Sequence, residues 1–152
     1  MSMENKVVAK RLYSDVWNKR KLELLPEIIS PSHALRDPNL SDAAVGPEAY
    51  KRQVQRFLSA FPDLRFSIEE MICEKDMLVV SWTISGTHKG EFWGVPPTNK
   101  KISMDGITIN HIANGKIMDS DVSMDALGLL KQLGAFPAKT EKPEKAKTRS
   151  AG

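Results

Sequence analysis

Cysteine is almost absent. Cys73 is the only thiol in 152 residues, so an intramolecular disulfide is excluded, and nothing resembles a Cys/His metal cluster. Long apolar runs are missing too. Residues 1–10 are charged and mixed, with no stretch fit for a signal peptide or a membrane span. A cytoplasmic protein without membrane contact is expected. A dominant charge of one sign is also lacking once the end of the chain is set apart. The pI of about 9.0 suggests a nucleic-acid partner. Yet residues 138–152 set Lys139, Lys142, Lys145, Lys147 and Arg149 against Glu141 and Glu144, and the remainder carries 17 basic and 17 acidic residues. The basic character belongs to residues 137–152, a polar tail predicted to be disordered and better suited to solubility than to binding a polyanion. No nucleic-acid contact is expected. Residues 1–136 remain as one domain, large enough for a real core.

What is present is periodic. Residues 3–20 predict a helix, with Val8, Leu12 and Val16 at i, i+4, i+8 and Tyr13 and Trp17 on an adjoining stripe. Leu22 to Ile29 predicts a second short helix interrupted at Pro26, and Ser30 to Val45 a loop rich in Pro, Ser, Asp and Asn. Gly46-Pro47 opens a third helix whose stripe is Tyr50, Val54, Phe57, Leu58 and Phe61, and Pro62 ends it. Lys51, Arg52, Gln55 and Arg56 form its solvated side, not a DNA-reading face. Strands are predicted near 64–73, 77–88, 101–112 and 116–125. In the second of these, Leu78, Val80, Trp82 and Ile84 alternate with Val79, Ser81 and Thr83. Asp125 can then cap a short helix that Gly134 stops. Helices followed by antiparallel strands make an α+β fold. A curved sheet wrapped over helices is a cone, and its open end is a ready small-molecule pocket.

The connector between the second and third strands is Gly86-Thr87-His88-Lys89-Gly90-Glu91-Phe92-Trp93-Gly94-Val95-Pro96-Pro97-Thr98. Its aromatics need something to cover, so it either plugs one end of the sheet or rims a pocket with His88 at the mouth. This run resembles the signature of the SnoaL-like polyketide cyclases, within the superfamily that also holds ketosteroid isomerase and nuclear transport factor 2. The resemblance extends from about Val16 to Gly134. It includes Ala60-Phe61-Pro62-Asp63-Leu64, Asn114-Gly115-Lys116-Ile117, and Asp125 followed by Leu129-Leu130-Lys131-Gln132-Leu133-Gly134. It implies an α+β barrel in the shape of a cone, with N-terminal helices in the concave face of a mostly antiparallel sheet. It also implies a homodimer made sheet to sheet. In such a cone Tyr13, Trp17, Phe57 and Trp82 would line the substrate pocket, with Phe92, Trp93, Met104 and Thr108. For Tyr13 and Trp17 a plain core role remains open. The family commonly has His-Asp-Pro where this chain has Arg36-Asp37-Pro38, and His33 is not its equivalent. The family also has tryptophan where Asp121 stands.

Asn114-Gly115 is a two-residue turn signal. Simple counting from it pairs Ile112 with Ile117, Asn110 with Asp119, Thr108 with Asp121, and Gly106 with Ser123. One face then carries Asp119, Asp121, Ser123 and Asp125 with Asn110 and Thr108. The other carries Met118, Ser120, Val122 and Met124 with His111, Ile109 and Ile107. Counting leaves open which face is inward; the resemblance favours the acidic one.

A cyclase that closes a ring by aldol condensation removes a proton α to a carbonyl and protonates a developing oxyanion. Neither metal nor cofactor is required, and a carboxyl group in dry surroundings can serve. The resemblance makes Asp125 the first candidate and Asp121 the second, with His88 orienting the substrate or donating to the oxyanion. A helix cap is the competing reading of Asp125. The expected ligand is a small hydrophobic, polyketide-like carbonyl compound, and the alternative is a non-catalytic binding or association module. Epoxide hydrolysis would need an arginine beside paired aspartates, and residues 101–125 contain none.

Overall fold

The computed structural model describes residues 2–40 and 43–135. The tail assigned to residues 137–152 lies outside them. Helix α1 (Ser2–Lys10) continues into a π-helical stretch, Arg11–Asn18, which buries Leu12, Tyr13, Val16 and Trp17 on one side. Arg20 ends it in the left-handed region (φ 64°), a strained conformation for a residue with a Cβ. Its guanidinium donates to the carbonyls of Trp17, Asn18, Pro62 and Leu64, which ties the helix end to the start of the sheet.

Leu22–Leu24 forms one 3₁₀ turn and Leu25–Ile28 the short helix α2. Pro26 does not interrupt this helix. It sits in the first turn, where its missing N–H is not needed. The loop expected from Ser30 onward is instead strand β1 (Ile29–Arg36), followed by the short β2 (Ala44–Val45). Its polar composition hid it. Ile29, Ser30, His33 and Leu35 are buried, and a parallel ladder with the last strand satisfies its backbone. Helix α3 (Gly46–Ala60) begins at Gly46-Pro47 and buries Tyr50, Val54 and Phe57 of the predicted stripe together with Ala60, while Leu58 is half-buried and Phe61 is buried just past its end.

Strands β3 (Arg65–Glu74), β4 (Met77–Thr87), β5 (Lys101–Ala113) and β6 (Lys116–Met124) complete a six-stranded sheet in the order β2-β1-β6-β5-β4-β3. All neighbours are antiparallel except β1 and β6. Helix α4 (Ala126–Gln132) closes the domain. The sheet curves without closing, and the N-terminal helices and α3 fill its concave side. The α+β cone expected from the sequence is the fold.

The β5–β6 register departs from simple counting. Ile112 pairs with Ile117, but His111 pairs with Asp119, so Met118 is skipped. Beyond this bulge Asn110 faces Ser120, Thr108 faces Val122 and Gly106 faces Met124. One extra residue on one strand reverses the side on which every later residue points. Ser120, Val122 and Met124 therefore face the helices, and Asp119, Asp121 and Ser123 face away. The pairing of Asn110 with Asp119 and of Thr108 with Asp121 is overturned.

Gly106 is required by the cone's interior. A Cβ there would lie 2.2 Å from Cζ2 of Trp82, its cross-strand partner. Gly106→Ala is expected to lower stability by about 1–3 kcal/mol, the usual cost of overpacking. A shift of the urea midpoint at unchanged slope would show it; no shift would mean that Trp82 moves aside freely.

Candidate active site

A cavity lies between the concave face of the sheet and the helices. Tyr13 and Trp17 come from the N-terminal helix, Tyr50, Gln53 and Phe57 from α3, and Phe66 from β3. Trp82 and Ile84 come from β4, Thr108 and Asn110 from β5, and Ser120, Val122 and Met124 from β6. Leu35 comes from the end of β1 and Asp37 from the turn that follows it. Asp37, Gln53, Val122 and Met124 are half-buried while Tyr13, Thr108, Asn110 and Ser120 are buried, so the cavity opens at the first set and is deepest at the second. It encloses about 60 Å³. Sites for drug-sized ligands have roughly 300–1,000 Å³, so a multi-ring ligand enters only if the mouth widens.

The buried polar side chains of this cavity are hydrogen-bonded to one another, and the bonds form chains. Trp82 donates its indole N–H to the Thr108 hydroxyl (2.9 Å), and Trp17 donates to the Tyr50 hydroxyl (3.2 Å). Ser120 donates to Oδ1 of Asn110 at 2.7 Å, and Asn110 Nδ2 donates to the Tyr13 hydroxyl at 3.4 Å, to which the Thr108 side chain also bonds. Behind Ser120, Nε2 of His33 lies 3.0 Å from its hydroxyl. Burial pushes the phenol of Tyr13 upward against the opposing hydrogen bonds of Asn110 and Thr108, and it pushes Tyr50 upward as well. Burial lowers His33 to about 4. Both phenols and the imidazole are therefore neutral at pH 7.

Five of the eight expected pocket residues line the cavity: Tyr13, Trp17, Phe57, Trp82 and Thr108. Phe92, Trp93 and Met104 do not. Phe92 is buried outside it against Phe57 (4.9 Å between rings) and Phe61 (5.4 Å), and Trp93 packs on Phe92. The connector is thus a plug against the last turns of α3, at the end of β4 and β5. Lys89 and Gly90 both donate to the carbonyl of Ala60, and a Cβ on Gly90 would meet the Ser59 carbonyl at 2.5 Å.

The three residues expected to do chemistry also stand elsewhere. His88 is fully buried within the connector. Its Nδ1 accepts from the Thr98 backbone (3.2 Å) and lies 3.0 Å from the Thr98 hydroxyl, so the ring pins one end of the loop to the other. Asp121 is on the outer face, where Arg36 grips it through Nε (2.6 Å) and Nη2 (3.0 Å). The Arg36 hydrogen bonds hold its carboxyl below the usual range. Arg36 also reaches Asp119 (3.2 Å), which bonds to His111 (2.7 Å). An arginine beside paired aspartates does exist, then, but outside the cavity and supplied by β1. Asp125 is exposed and caps α4, accepting from the Gly128 N–H at 2.9 Å.

What counting missed is Asp37, Tyr50, Asn110, Ser120 and His33. Asp37 is the one carboxylate among the cavity's lining residues. Its Oδ1 accepts from the backbone and side-chain nitrogens of Asn39 (2.8 and 2.9 Å), the turn its Asp-Pro context suggests. An Asn-Gly turn fixes where a hairpin bends but not where a bulge follows, so no sequence signal placed Ser120 inward.

The sequence profile of the SnoaL-like polyketide cyclases matches residues 7–133. Aklanonic acid methyl ester cyclase DauD from Streptomyces sp. (strain C5) is 30% identical over 113 residues, covering 73% of this chain and 67% of that protein. Nogalonic acid methyl ester cyclase from Streptomyces nogalater is 31% identical over 90 residues, covering 59% and 67%. Among solved structures, TsrD from Streptomyces laurentii superposes with a TM-score of 0.80 at 26% identity, covering 90% of this chain and 98% of that one.

Asp125→Ala removes a cap and nothing from the cavity. The expected result is a loss of about 1 kcal/mol in stability, typical of an N-cap. The near-ultraviolet spectrum, which reports the cavity residues Trp17 and Trp82, is expected to stay as it was.

Proposed function

Because the chain belongs to the SnoaL-like polyketide cyclase family, we propose that it cyclises or isomerises a small hydrophobic, polyketide-like carbonyl compound inside the cone, without a cofactor. The observation that carries this is the state of the Tyr13 hydroxyl. Its oxygen accepts from Asn110 at 3.4 Å, and with the bond in this direction Asn110 leaves the phenol proton for a ligand oxygen in the deepest part of the cavity. A neutral donor fixed in a low-dielectric site stabilises an oxyanion far better than the same group in water.

The base in this scheme is Asp37, through Oδ2. Its carboxylate removes the proton α to the substrate carbonyl, and the electron pair moves onto the carbonyl oxygen held by Tyr13. In a cyclisation the enolate carbon then attacks a second carbonyl of the same molecule. A carbon–carbon bond forms, and the new alkoxide recovers the proton from Asp37. The sum is an isomerisation that needs no external electron acceptor or donor. Asp121, Asp125 and His88 have no part in it. The relatives named as methyl ester cyclases support a substrate of this kind.

A ligand-binding module is the second reading. The β6 wall offers Ser120, Val122 and Met124, with no carboxylate, which favours it. Deuterium uptake from D2O into a panel of polycyclic and β-keto carbonyl compounds separates the two. Uptake catalysed by the wild type is expected to fall about 10²–10⁴-fold in Asp37→Asn, as for loss of a general base. It is expected to fall about 10²–10³-fold in Tyr13→Phe, as for loss of an oxyanion donor. Unchanged uptake in Tyr13→Phe sinks the scheme. No uptake at all, with compounds still raising Tm, supports the binding module.

We also propose that the outer face of the sheet meets a second copy of the chain. Ile72 (63% exposed) and Ile107 (50% exposed) stand there with Val79 and Ile109. The bordering Asp119 and Asp121 share the guanidinium of Arg36, and Asp119 also bonds to His111, so each carboxylate already has a partner at that border. Sedimentation is expected to show a dimer for the wild type and a monomer for Ile107→Lys. A monomeric wild type would refute the contact.

A further inference from the structure

The chain behind Tyr13 can run in either of two directions, and only one leaves the Tyr13 proton free. In one direction His33 donates from Nε2 to Ser120, Ser120 to Asn110, and Asn110 to Tyr13. In the other, Tyr13 spends its proton on the Asn110 amide oxygen, Asn110 donates to Ser120, and Ser120 donates to a bare Nε2. Ser120 and Asn110 each relay whichever direction they receive, because a hydroxyl and an amide both donate and accept. Something at an end must decide.

We propose that His33 is the positioning residue that sets this direction and so keeps the Tyr13 proton aimed at the ligand, resting on the reading of Tyr13 as the oxyanion donor. The reason is at its other nitrogen. Nδ1 of His33 is fully buried with no hydrogen-bond partner among the described residues. A proton there would be a buried N–H without an acceptor, which folded proteins seldom tolerate; a bare lone pair is the cheaper state. The proton therefore resides on Nε2, facing Ser120 at 3.0 Å. Adding a second proton would place a charge in the core. Arg36 on the same strand opposes that charge and Asp119 on β6 favours it, while Tyr50 on α3 presents its ring edge-on at 5.9 Å and supplies neither charge. Burial is the largest influence, and with Arg36 it outweighs Asp119.

The test has a ligand-free arm and a probe arm. In ¹⁵N-histidine-labelled protein, ring-nitrogen shifts are followed from pH 8 to pH 4, with each of the three histidines assigned by single substitution. His33 is expected as the Nε2–H tautomer throughout, charging only near pH 4. An Nδ1–H tautomer, or a titration at the ordinary histidine midpoint, overturns the proposal. The probe is 4-nitrophenolate, a small planar oxyanion whose absorbance reports its ionisation. Its affinity is expected to drop about tenfold in Tyr13→Phe and equally in His33→Leu, the loss of one hydrogen bond to a charged group. His33→Gln keeps an N–H near the position of Nε2 and is expected to restore most of the binding. Weakening in Tyr13→Phe but not in His33→Leu overturns the role of His33 and leaves the Tyr13 reading standing. No weakening in Tyr13→Phe, or no binding by the wild type, refutes the Tyr13 reading itself. In either case the tautomer still decides the direction of the chain.

Discussion

One skipped residue in the β5–β6 ladder governs what the cone contains. Strand side chains alternate between faces, so passing over Met118 turns Ser120, Val122 and Met124 inward and Asp119 and Asp121 outward. Had the ladder been regular, two carboxylates would lie among aromatic side chains without a cation. A buried unpaired carboxylate is costly enough that it would take up a proton instead. With the bulge, both aspartates reach Arg36 at the sheet's outer surface, and the cavity receives a hydroxyl.

That exchange leaves a cavity in which hydrogen-bond direction, not formal charge, organises the chemistry. Indole N–H groups can only donate, so Trp82 and Trp17 fix how Thr108 and Tyr50 are engaged. Ser120 and Asn110 can run either way and take their sense from His33. The carboxylate stands apart from this network at the mouth, on the turn after β1. The deep end therefore suits an oxygen that gains negative charge, and the mouth suits the departing proton.

The motifs that make the chain recognisable are mostly scaffolding. Asp63 of the Phe-Pro-Asp-Leu run holds Thr87 through its backbone and hydroxyl, at 2.7 Å each. His88 clamps Thr98, Gly90 lets the connector approach α3, and Asp125 caps α4. In this chain these residues answer to backbone geometry and not to a substrate. This is why the family was legible from them and the site was not.

By itself the sequence determined the α+β cone, the faces of the helices, the inward row of β4 and five of the aromatic and hydroxyl residues that line the cavity. Local periodicity and turn chemistry suffice for the helix faces and the β4 row, which depend on residues close together in the chain. The cone and its lining residues follow from the family resemblance that the motifs carry. The tertiary structure decided the rest. Strand β1 exists only because β6 lies beside it to complete its ladder, so its polar sequence resembled a loop. The bulge at Met118 depends on how two strands settle over a shared core, which no turn signal encodes. The chain from His33 to Tyr13 joins residues from four separate elements, and burial together gives its direction meaning.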